Sequence, residues 1–430
     1  MRILLAAALL LITTAAPAQK EQLRFTLILS RHGIRPPLTP AAQLHRYSAE
    51  PWPDWEVPLG HLTPHGADAL RQMGAWMRLD LARNGLFAAT GCPTAIYLYS
   101  DTDERNISST RSTFSGFAPG CDPLPVSTYV PGKDTRDGLF LPIPHTFPAP
   151  PAEAALAAMD AALGSDPDAA LTAKAHPQLT ELAHILAPDP AHPPATPITS
   201  IPVTVAANPS GDPIVSNHGP LPTASSLSED FLLEYADAKP MAEVGWGRVD
   251  EAALRRLLAL NVAGFTYNAR TPFFARAIAS NLAAHTLDTL DQAADPTSLP
   301  GALGPTGTKL VYISAHDTNL HAIAGLFGLH WTNDGVADDT PPDAQIVFEL
   351  WQHPGSKQYT VRIKFRAQTL SQLRSASPLT LAAGPGENLL IPPGCHSATH
   401  CAYADFRRAA LALLDPTYVK PGPLPTQLAP

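Results

Sequence analysis

The sequence has few charged residues and lacks long apolar runs after its N-terminus. Charged residues make up 16% of the 430 residues and the net charge is −9, whereas about a quarter of an average soluble chain is charged. A negative net charge argues against nucleic acid and anionic membrane surfaces as partners. No segment after the N-terminal run is long and apolar enough to span a bilayer. We therefore expect no nucleic-acid partner and no membrane span, and an anion would have to bind a local positive pocket.

Cysteine is scarce, and the chain has four: Cys92, Cys121, Cys395 and Cys401. No Cys-x-x-Cys motif is present, which argues against a metal site built on them. Three pairings are possible. Because short loops close most easily, Cys92 with Cys121 and Cys395 with Cys401 is the favoured pairing. Disulfides would fit an oxidising compartment.

The N-terminus has the pattern of a secretory signal peptide. Met1-Arg2 precedes an apolar run over Ile3–Ile12, and small residues follow at Ala16 and Ala18. The run is too short to cross a bilayer, so we expect residues 1–18 to be a cleaved signal peptide. A buried first helix is the alternative. The signal predicts a periplasmic or secreted protein.

Three apolar, β-forming runs each lead into a turn: Arg24–Leu29, Thr94–Tyr99 and Lys309–Ser314. Helical patterns follow these turns. Repeated strand–turn–helix units predict an α/β fold with a mostly parallel central sheet flanked by helices. Residues 344–352 and 358–365 alternate in polarity and predict an antiparallel hairpin at the sheet edge.

Between residues 135 and 258 the composition changes to Ala-rich helical stretches joined by Pro-rich connectors. A long insertion of this kind predicts an α-helical cap over the sheet. The catalytic α/β domain is then discontinuous and comprises residues 19–134 and 259–418. Residues 419–430 are rich in proline and are expected to be a disordered tail.

The turn after the first strand carries a histidine between two arginines, Arg31-His32-Gly33-Ile34-Arg35. Arg105 follows the second strand, and His316-Asp317 follows the third. Turns at the carboxyl ends of strands in open α/β sheets are where ligands bind. Alone, the first turn also fits an exposed loop, and Arg105 also fits an ion pair with a neighbouring aspartate. Together the three strand ends indicate one site.

This residue set suits phosphoryl transfer from a monoester. The three arginines supply planar donors for phosphate oxygens, and His316 adds another donor. His32 can attack phosphorus, and Asp317 can protonate the departing alcohol. Neighbouring cations lower the pKa of an imidazole, so His32 is expected to be neutral in mildly acidic medium, where Asp317 keeps part of its protons. An acidic optimum is therefore predicted.

The segment Arg31-His32-Gly33-Ile34-Arg35-x-Pro37 resembles the signature of the histidine acid phosphatases, and His316-Asp317 resembles that family's second motif. Other stretches resemble the bacterial periplasmic phytases and glucose-1-phosphatases: Leu62-Thr63-Pro64-x-Gly66, Asp103-Glu104-Arg105, Gly245-Trp246-Gly247-Arg248, Thr340-Pro341-Pro342 and Val347-Phe348-Glu349-x-Trp351.

The resemblance implies an exported acid phosphatase that hydrolyses phosphomonoesters through a phosphohistidine, without a metal or other cofactor. It also implies an α/β domain with a helical cap, and it matches the two disulfides favoured above. His32 would be the nucleophile and Asp317 the acid. The residues implied to hold the phosphate are Arg31, Arg35, Arg105 and His316.

Substrate choice depends on the rim of the pocket. Thr39 stands near the position of a lysine found in some bacterial phytases, and Asn261 stands where such a phytase has a histidine. Glu229 matches a pocket-lining carboxylate of the group, although it also fits a solvated helix position. We expect a small-molecule phosphomonoester as substrate, a monomer, and a phytase-like or broad specificity ahead of a glucose-1-phosphatase type.

Two other functions fit parts of the pattern. Phosphoglycerate mutases share the Arg-His-Gly turn, but they are cytosolic and lack the late His-Asp motif. A non-catalytic binding protein for phosphate ligands would keep the cations, yet it would need neither a nucleophile nor an acid on separate strand ends. His32 and Asp317 therefore favour an enzyme.

Overall fold

The computed structural model describes residues 20–130, 136–164, 166–208 and 214–429. The predicted signal peptide, residues 1–18, lies outside the described residues. One mixed sheet of nine strands forms the centre of the described chain, with the strand order β11-β10-β9-β1-β6-β2-β3-β13 and β12 added beside β10. The strands of the described residues are β1 Gln22–Arg31, β2 Ile96–Ser100, β3 Val126–Tyr129, β4 Thr204–Ala207, β5 Val215–His218, β6 Leu310–Ala315, β7 Thr332–Asn333, β8 Val336–Ala337, β9 Gln345–Gln352, β10 Tyr359–Ala367, β11 Gly386–Leu390, β12 Cys401–Ala402 and β13 Thr426–Leu428.

Helices cover the two faces of the sheet and continue into a separate helical layer. The α-helices of the described residues are α1 Ala41–Leu44, α2 Pro64–Arg83, α3 Glu104–Phe117, α4 Ala152–Leu163, α5 Pro167–Leu186, α6 Pro220–Ala236, α7 Glu251–Phe265, α8 Pro272–Ala294, α9 Asp317–Phe327, α10 Leu370–Ser375 and α11 Tyr403–Leu413. A π-helical turn, Thr266–Arg270, follows α7 directly. Short 3-10 turns occur at Ile198–Ser200, Val244–Gly247 and Pro416–Tyr418.

The predicted α/β fold is confirmed, and the parallel strands are its centre. Strands β1, β6, β2 and β3 are parallel to their neighbours in that order. All six residues of β6 are buried, as expected for a parallel strand covered by helices on both faces. Antiparallel strands extend the sheet on both sides of this parallel core.

Two sequence predictions about the sheet edges were wrong. The hairpin of β9 and β10 exists, but β9 pairs with β1 and β11 pairs with the outer side of β10, so the hairpin lies inside the sheet. The first six residues of β9 are all buried, because helices cover both faces there. The expected disordered tail instead contains β13, which pairs with β3 over Thr426–Leu428. The open edge of β3 offers unpaired backbone groups that a proline-rich segment can still bind at a few positions.

Helices α4 to α7 surround a second apolar core, separate from the core around the sheet. Members of this core include Leu182, Phe231 and Leu257, each almost fully buried. A β-hairpin of β4 and β5, which the sequence patterns did not indicate, also belongs to this region. The predicted cap boundary at residue 258 falls inside α7, and the same core continues into Phe274 of α8. The limits of the cap therefore stay a prediction.

Both favoured disulfides are present. Cys92 and Cys121 are bonded across a separation of 29 residues, and Cys395 and Cys401 across a separation of 6 residues. Among the described residues, no helix has both the length and the apolar character needed to cross a membrane.

Candidate active site

Three neighbouring parallel strands end at the same edge of the sheet and bring the predicted residues together. Arg31 at the end of β1 lies opposite Ala315 at the end of β6, and the amide of His32 donates to the Ala315 carbonyl at 3.1 Å. On the other side of β6, the amide of Asp101 donates to the Ser314 carbonyl at 3.1 Å. The loops after β1, β6 and β2 therefore begin side by side, as the positions of the motifs predicted.

The turn that carries His32 is packed tightly against the start of α2. A Cβ atom on Gly33 would lie 2.6 Å from a methyl group of Leu70, and one on Gly66 would lie 2.8 Å from the Ile34 carbonyl oxygen. The amide of Thr63 donates to that same carbonyl at 2.9 Å. These contacts leave no room for a side chain at either glycine. The close packing fixes the turn that carries His32 relative to the start of α2.

His32 is held as a neutral imidazole with one free nitrogen. Its side chain is buried, and Nδ1 lies 2.9 Å from the carbonyl oxygen of Gly33. A carbonyl only accepts, so Nδ1 carries the proton and Nε2 keeps its lone pair. Burial, together with the positive charges of Arg35 and Arg31, holds the pKa of His32 well below its usual value. His32 is therefore available as a nucleophile in acidic medium.

Arg31 and Arg35 are buried beside His32, and both contact Glu229 of α6. Arg31 donates to the Glu229 carboxylate and, through Nη1, to the carbonyl of Thr340 at 2.6 Å. Arg35 donates to the same Glu229 oxygen at 3.2 Å. Glu229 is thus not a solvated helix residue: 17% of its side chain is exposed and it bridges the two arginines. Each guanidinium also has a buried Nε without a hydrogen-bond partner.

Arg105, at the start of α3, completes the cationic set. Its Nη2 lies 2.6 Å from Asp103 Oδ2 and 3.5 Å from Nδ1 of His316. The ion pair with a neighbouring aspartate, which the sequence left open, therefore exists together with a place in the site. The two interpretations do not exclude one another, because the aspartate orients the guanidinium towards His316.

His316 is oriented by Asp101, a residue that the sequence analysis did not select. His316 Nε2 donates to Asp101 Oδ2 at 2.6 Å, and the imidazole rings of His316 and His32 have their centroids 5.6 Å apart. This hydrogen bond holds the pKa of Asp101 below its usual value, although burial acts in the opposite direction. The Asp-Thr-Asp sequence after β2 was a possible signal, since carboxylates commonly orient functional histidines.

Asp101, Asp103 and His316 also form the one group among the described residues that lies close enough to bind a metal ion, with ligand atoms within 4.8 Å of one another. The Arg105 guanidinium already lies beside two of them, at Asp103 and His316. The Arg105 guanidinium therefore supplies a positive charge to this cluster, and the hydrogen bond between Asp101 and His316 accounts for its geometry.

Asp317 begins α9 and lies 2.7 Å from Arg31 through its Oδ2 atom. Its other oxygen accepts from the amide of Thr318 at 2.8 Å. Burial alone would raise the pKa of Asp317, but the charges of Arg31 and Arg35 outweigh it and lower the pKa to about 2. The expectation that Asp317 keeps part of its protons in mildly acidic medium is therefore wrong.

For Thr39 the structure gives no contact with the other predicted site residues. It borders a separate polar cleft of about 500 Å³ together with Arg46, His218 and Ser226. Asn261 is buried in α7, and its side-chain amide donates to the carbonyl of Ser225 at 3.3 Å. The remaining candidates converge at the strand ends: Arg31, His32, Arg35, Arg105, Glu229, His316 and Asp317.

The fold and the site define a histidine phosphatase. The family model for the histidine phosphatase superfamily, branch 2, matches residues 22–366. The chain therefore belongs to this superfamily and is a phosphomonoester hydrolase by its family and its site.

Among characterised relatives, the chain is 32% identical to phytase AppA of Escherichia coli over 415 residues, which cover 91% of this chain and 93% of the relative. It is 28% identical to the glucose-1-phosphatase of Salmonella typhimurium, with 90% of this chain and 91% of the relative covered. Among solved structures, the Hafnia alvei phytase in complex with tartrate superposes with a TM-score of 0.83 at 29% identity, covering 94% of this chain and all of that chain.

Proposed function

We propose that this protein is an acid phosphatase in which His32 forms a phosphohistidine and Asp317 protonates the leaving alcohol. One observation carries the proposal: a neutral, buried imidazole with a free Nε2 lies among three arginines, and a carboxylate lies at the adjacent strand end. This arrangement supports phosphoryl transfer, because it combines a nucleophile with fixed positive charge for the phosphate oxygens and with a group that can carry a proton.

The reaction has two steps. In the first, His32 Nε2 bonds to phosphorus, the ester P–O bond breaks, and the proton on Asp317 goes to the leaving oxygen. In the second, Asp317 takes a proton from water, the hydroxide oxygen bonds to phosphorus, and the P–N bond breaks to give inorganic phosphate and free His32. The charge on the phosphoryl oxygens is balanced throughout by the guanidinium groups.

Substrate binding changes the ion pairs of Arg31. Arg31 is paired with Glu229 and Asp317, and a phosphate dianion competes with both carboxylates for it. Once phosphate neutralises the arginines, a proton on Asp317 is no longer repelled. In this mechanism substrate binding raises the pKa of Asp317, so Asp317 becomes protonated when the substrate binds. The sequence-based expectation was that Asp317 keeps part of its protons without substrate.

For the substrate, the similarity to a phytase and to glucose-1-phosphatases supports two candidates. The first is a phytase-like or broad phosphomonoester specificity, and the second is a sugar-phosphate specificity. A signal peptide over residues 1–18 and the two disulfides support export to the periplasm or beyond. A monomer and the absence of any cofactor belong to the same proposal.

Phosphate release from phytate, glucose 1-phosphate and p-nitrophenyl phosphate tests the proposal. His32→Ala should abolish release from all three substrates, since it removes the attacking atom. His192→Ala, which removes a histidine with a side chain 81% exposed on the cap, should leave the rates unchanged. Activity that persists in His32→Ala would exclude the phosphohistidine, and a wild type that binds phosphate without releasing any from an ester would indicate the binding protein.

A further inference from the structure

A cavity of about 290 Å³ lies next to Asp317, where the helical layer meets the sheet. Its walls are mainly apolar, and the largest side chains come from four separate segments of the chain. None of the described residues that line it is charged. The apolar lining includes Phe140, Ile143, Ile214, Phe265 and Ile278.

Three residues that line the cavity are neighbours of site residues. Thr318 lines it and donates its amide to the Asp317 carboxylate at 2.8 Å. The ring of Phe140 meets the His316 ring edge-on, with 6.4 Å between their centroids. Ser225 lies one helical turn before Glu229 on α6. The cavity therefore lies beside the acid, on the side of Thr318.

The position of the acid decides which part of a substrate enters this cavity. Asp317 gives its proton to the leaving oxygen, so the carbon attached to that oxygen must lie on the Asp317 side of phosphorus. We propose that the cavity receives the leaving group, and that the enzyme acts on monophosphate esters of uncharged, mainly apolar alcohols or phenols. This inference rests on the phosphatase function proposed above, and within it selects the broad specificity over the phytase-like and the sugar-phosphate ones.

The polar groups in the cavity are few and partly engaged. The hydroxyl of Ser225 lies 3.5 Å from the carbonyl of Asn261, and the hydroxyl of Thr318 lies 3.4 Å from the Asp317 carboxylate. Asn268, on the π-helical turn, is the third polar residue. A polyol has a hydroxyl on nearly every carbon, and each one buried without a partner costs free energy. An apolar ring carries no such cost.

A polyphosphate would also need further positive charge beside the cavity. The transferred phosphate uses the arginines of the strand ends, of which Arg31 and Arg35 already contact carboxylates, and none of the described residues that line the cavity is a cation. Arg46 and His218 lie in the polar cleft at Thr39, which Thr318 does not border. That cleft is the alternative binding place for a charged leaving group, and it can be tested separately.

Three esters that share one six-membered carbon ring provide the test: cyclohexyl phosphate, myo-inositol 1-phosphate and phytate. We expect kcat/KM for cyclohexyl phosphate to exceed the other two values by at least about tenfold, since even one methylene in an apolar pocket changes kcat/KM by about 10–200-fold. Hydroxyl groups make inositol the better leaving group in solution, so intrinsic reactivity opposes the expected order. A higher kcat/KM for myo-inositol 1-phosphate or phytate would overturn the proposal.

Ile278→Lys places a charge in the cavity, and Val203→Lys adds the same charge at an exposed cap residue outside it. Ile278→Lys should lower kcat/KM for cyclohexyl phosphate at least about tenfold and should not lower it for phytate, while Val203→Lys should change neither. If the ratio of kcat/KM for cyclohexyl phosphate to kcat/KM for phytate were the same in Ile278→Lys as in the wild type, the proposal would be contradicted. If that variant does not fold, the wild-type series still decides.

Arg46→Ala tests the alternative that the leaving group binds in the polar cleft at Thr39. If the wild type prefers phytate and this variant loses the preference, the polar cleft holds the leaving group and the cavity proposal is wrong. Failure of the proposed function would give a different result. In that case His32→Ala would not reduce phosphate release from any ester, including p-nitrophenyl phosphate, or the wild type would release none.

Discussion

Asp317→Asn tests how a proton reaches the leaving alcohol. Asparagine keeps the shape of the side chain and can still accept from the amide of Thr318, which now donates to Asp317 at 2.8 Å. It cannot carry a transferable proton. Burial would raise the pKa of this carboxyl, but the charges of Arg31 and Arg35 outweigh burial and lower the pKa to about 2.

The free energy that substrate must supply follows from this pKa. Holding a proton on Asp317 at about pH 5 against a pKa of about 2 costs about 4 kcal/mol, because each factor of ten in the proton equilibrium is worth about 1.4 kcal/mol. One phosphate charge about 4 Å away contributes about 4 kcal/mol at an effective dielectric constant of about 20. One phosphate charge is therefore of the same magnitude as the free energy needed to protonate Asp317.

The expected result depends on the leaving group. With an alkyl phosphate, Asp317→Asn should lower kcat by about 10²–10⁴-fold, the usual loss when a general acid is removed. With p-nitrophenyl phosphate, whose phenolate leaves without much protonation, the loss should stay below about tenfold. The assay is steady-state phosphate release at several pH values. For the wild type, kcat for the alkyl ester should fall as the pH rises, because Asp317 loses its proton in the complex.

Asp339→Asn is the matched control. Asp339 is a second buried carboxyl near Arg31, and burial raises its pKa to about 7. It is mostly protonated in acidic medium, so its amide should behave like the wild type with both esters. Equal losses for the two esters in Asp317→Asn would refute the role of Asp317 as the acid. If kcat of Asp317→Asn for the alkyl ester still fell as the pH rises, the group that titrates would not be Asp317.

Two further predictions concern the cap carboxylate and the disulfides. Glu229→Gln removes the charge that competes with phosphate for Arg31 and Arg35, so inorganic phosphate should inhibit about three- to tenfold more tightly. Weaker inhibition would mean that Glu229 mainly orients the arginines. The control is Glu234→Gln, which changes a buried glutamate that accepts from the amide of Gly245. Replacing both cysteines of the 29-residue loop by serine should lower the free energy of unfolding by about 3.5 kcal/mol, against about 2 kcal/mol for the 6-residue loop. Urea unfolding measures both, and a larger loss for the shorter loop would contradict the loop-entropy explanation.

The sequence was sufficient to predict the centre of the site, because the chemistry lies at strand ends. An apolar β-forming run followed by a polar turn identifies where a buried strand stops, and parallel strands stop at a common edge. Arg31 and His316 were therefore predicted to lie together although 285 positions separate them in the chain. The favoured disulfides followed in the same way from loop length.

Other features depended on contacts that no local pattern encodes. Asp101 is one of several carboxylates after β2, and only the three-dimensional structure distinguishes the one that orients His316. The protonation of Asp317 depends on its 2.7 Å contact with Arg31, a distance that the motif does not specify. The strand β13 forms because β3 leaves an open edge, and a composition-based prediction of disorder does not account for such an edge.

The cap contributes charge as well as a wall for the leaving group. Glu229 comes from α6 and is the only cap residue described here that contacts both Arg31 and Arg35. Glu229 and Asp317 both contact the Arg31 guanidinium, so an anion must compete with two carboxylates for it. A phosphate dianion can displace these carboxylates because it offers more charge and more acceptor oxygens to the same donors. In the proposed mechanism the negative charge of the bound phosphate also compensates the positive charge that lowers the pKa of Asp317, so that substrate binding and protonation of the acid are coupled.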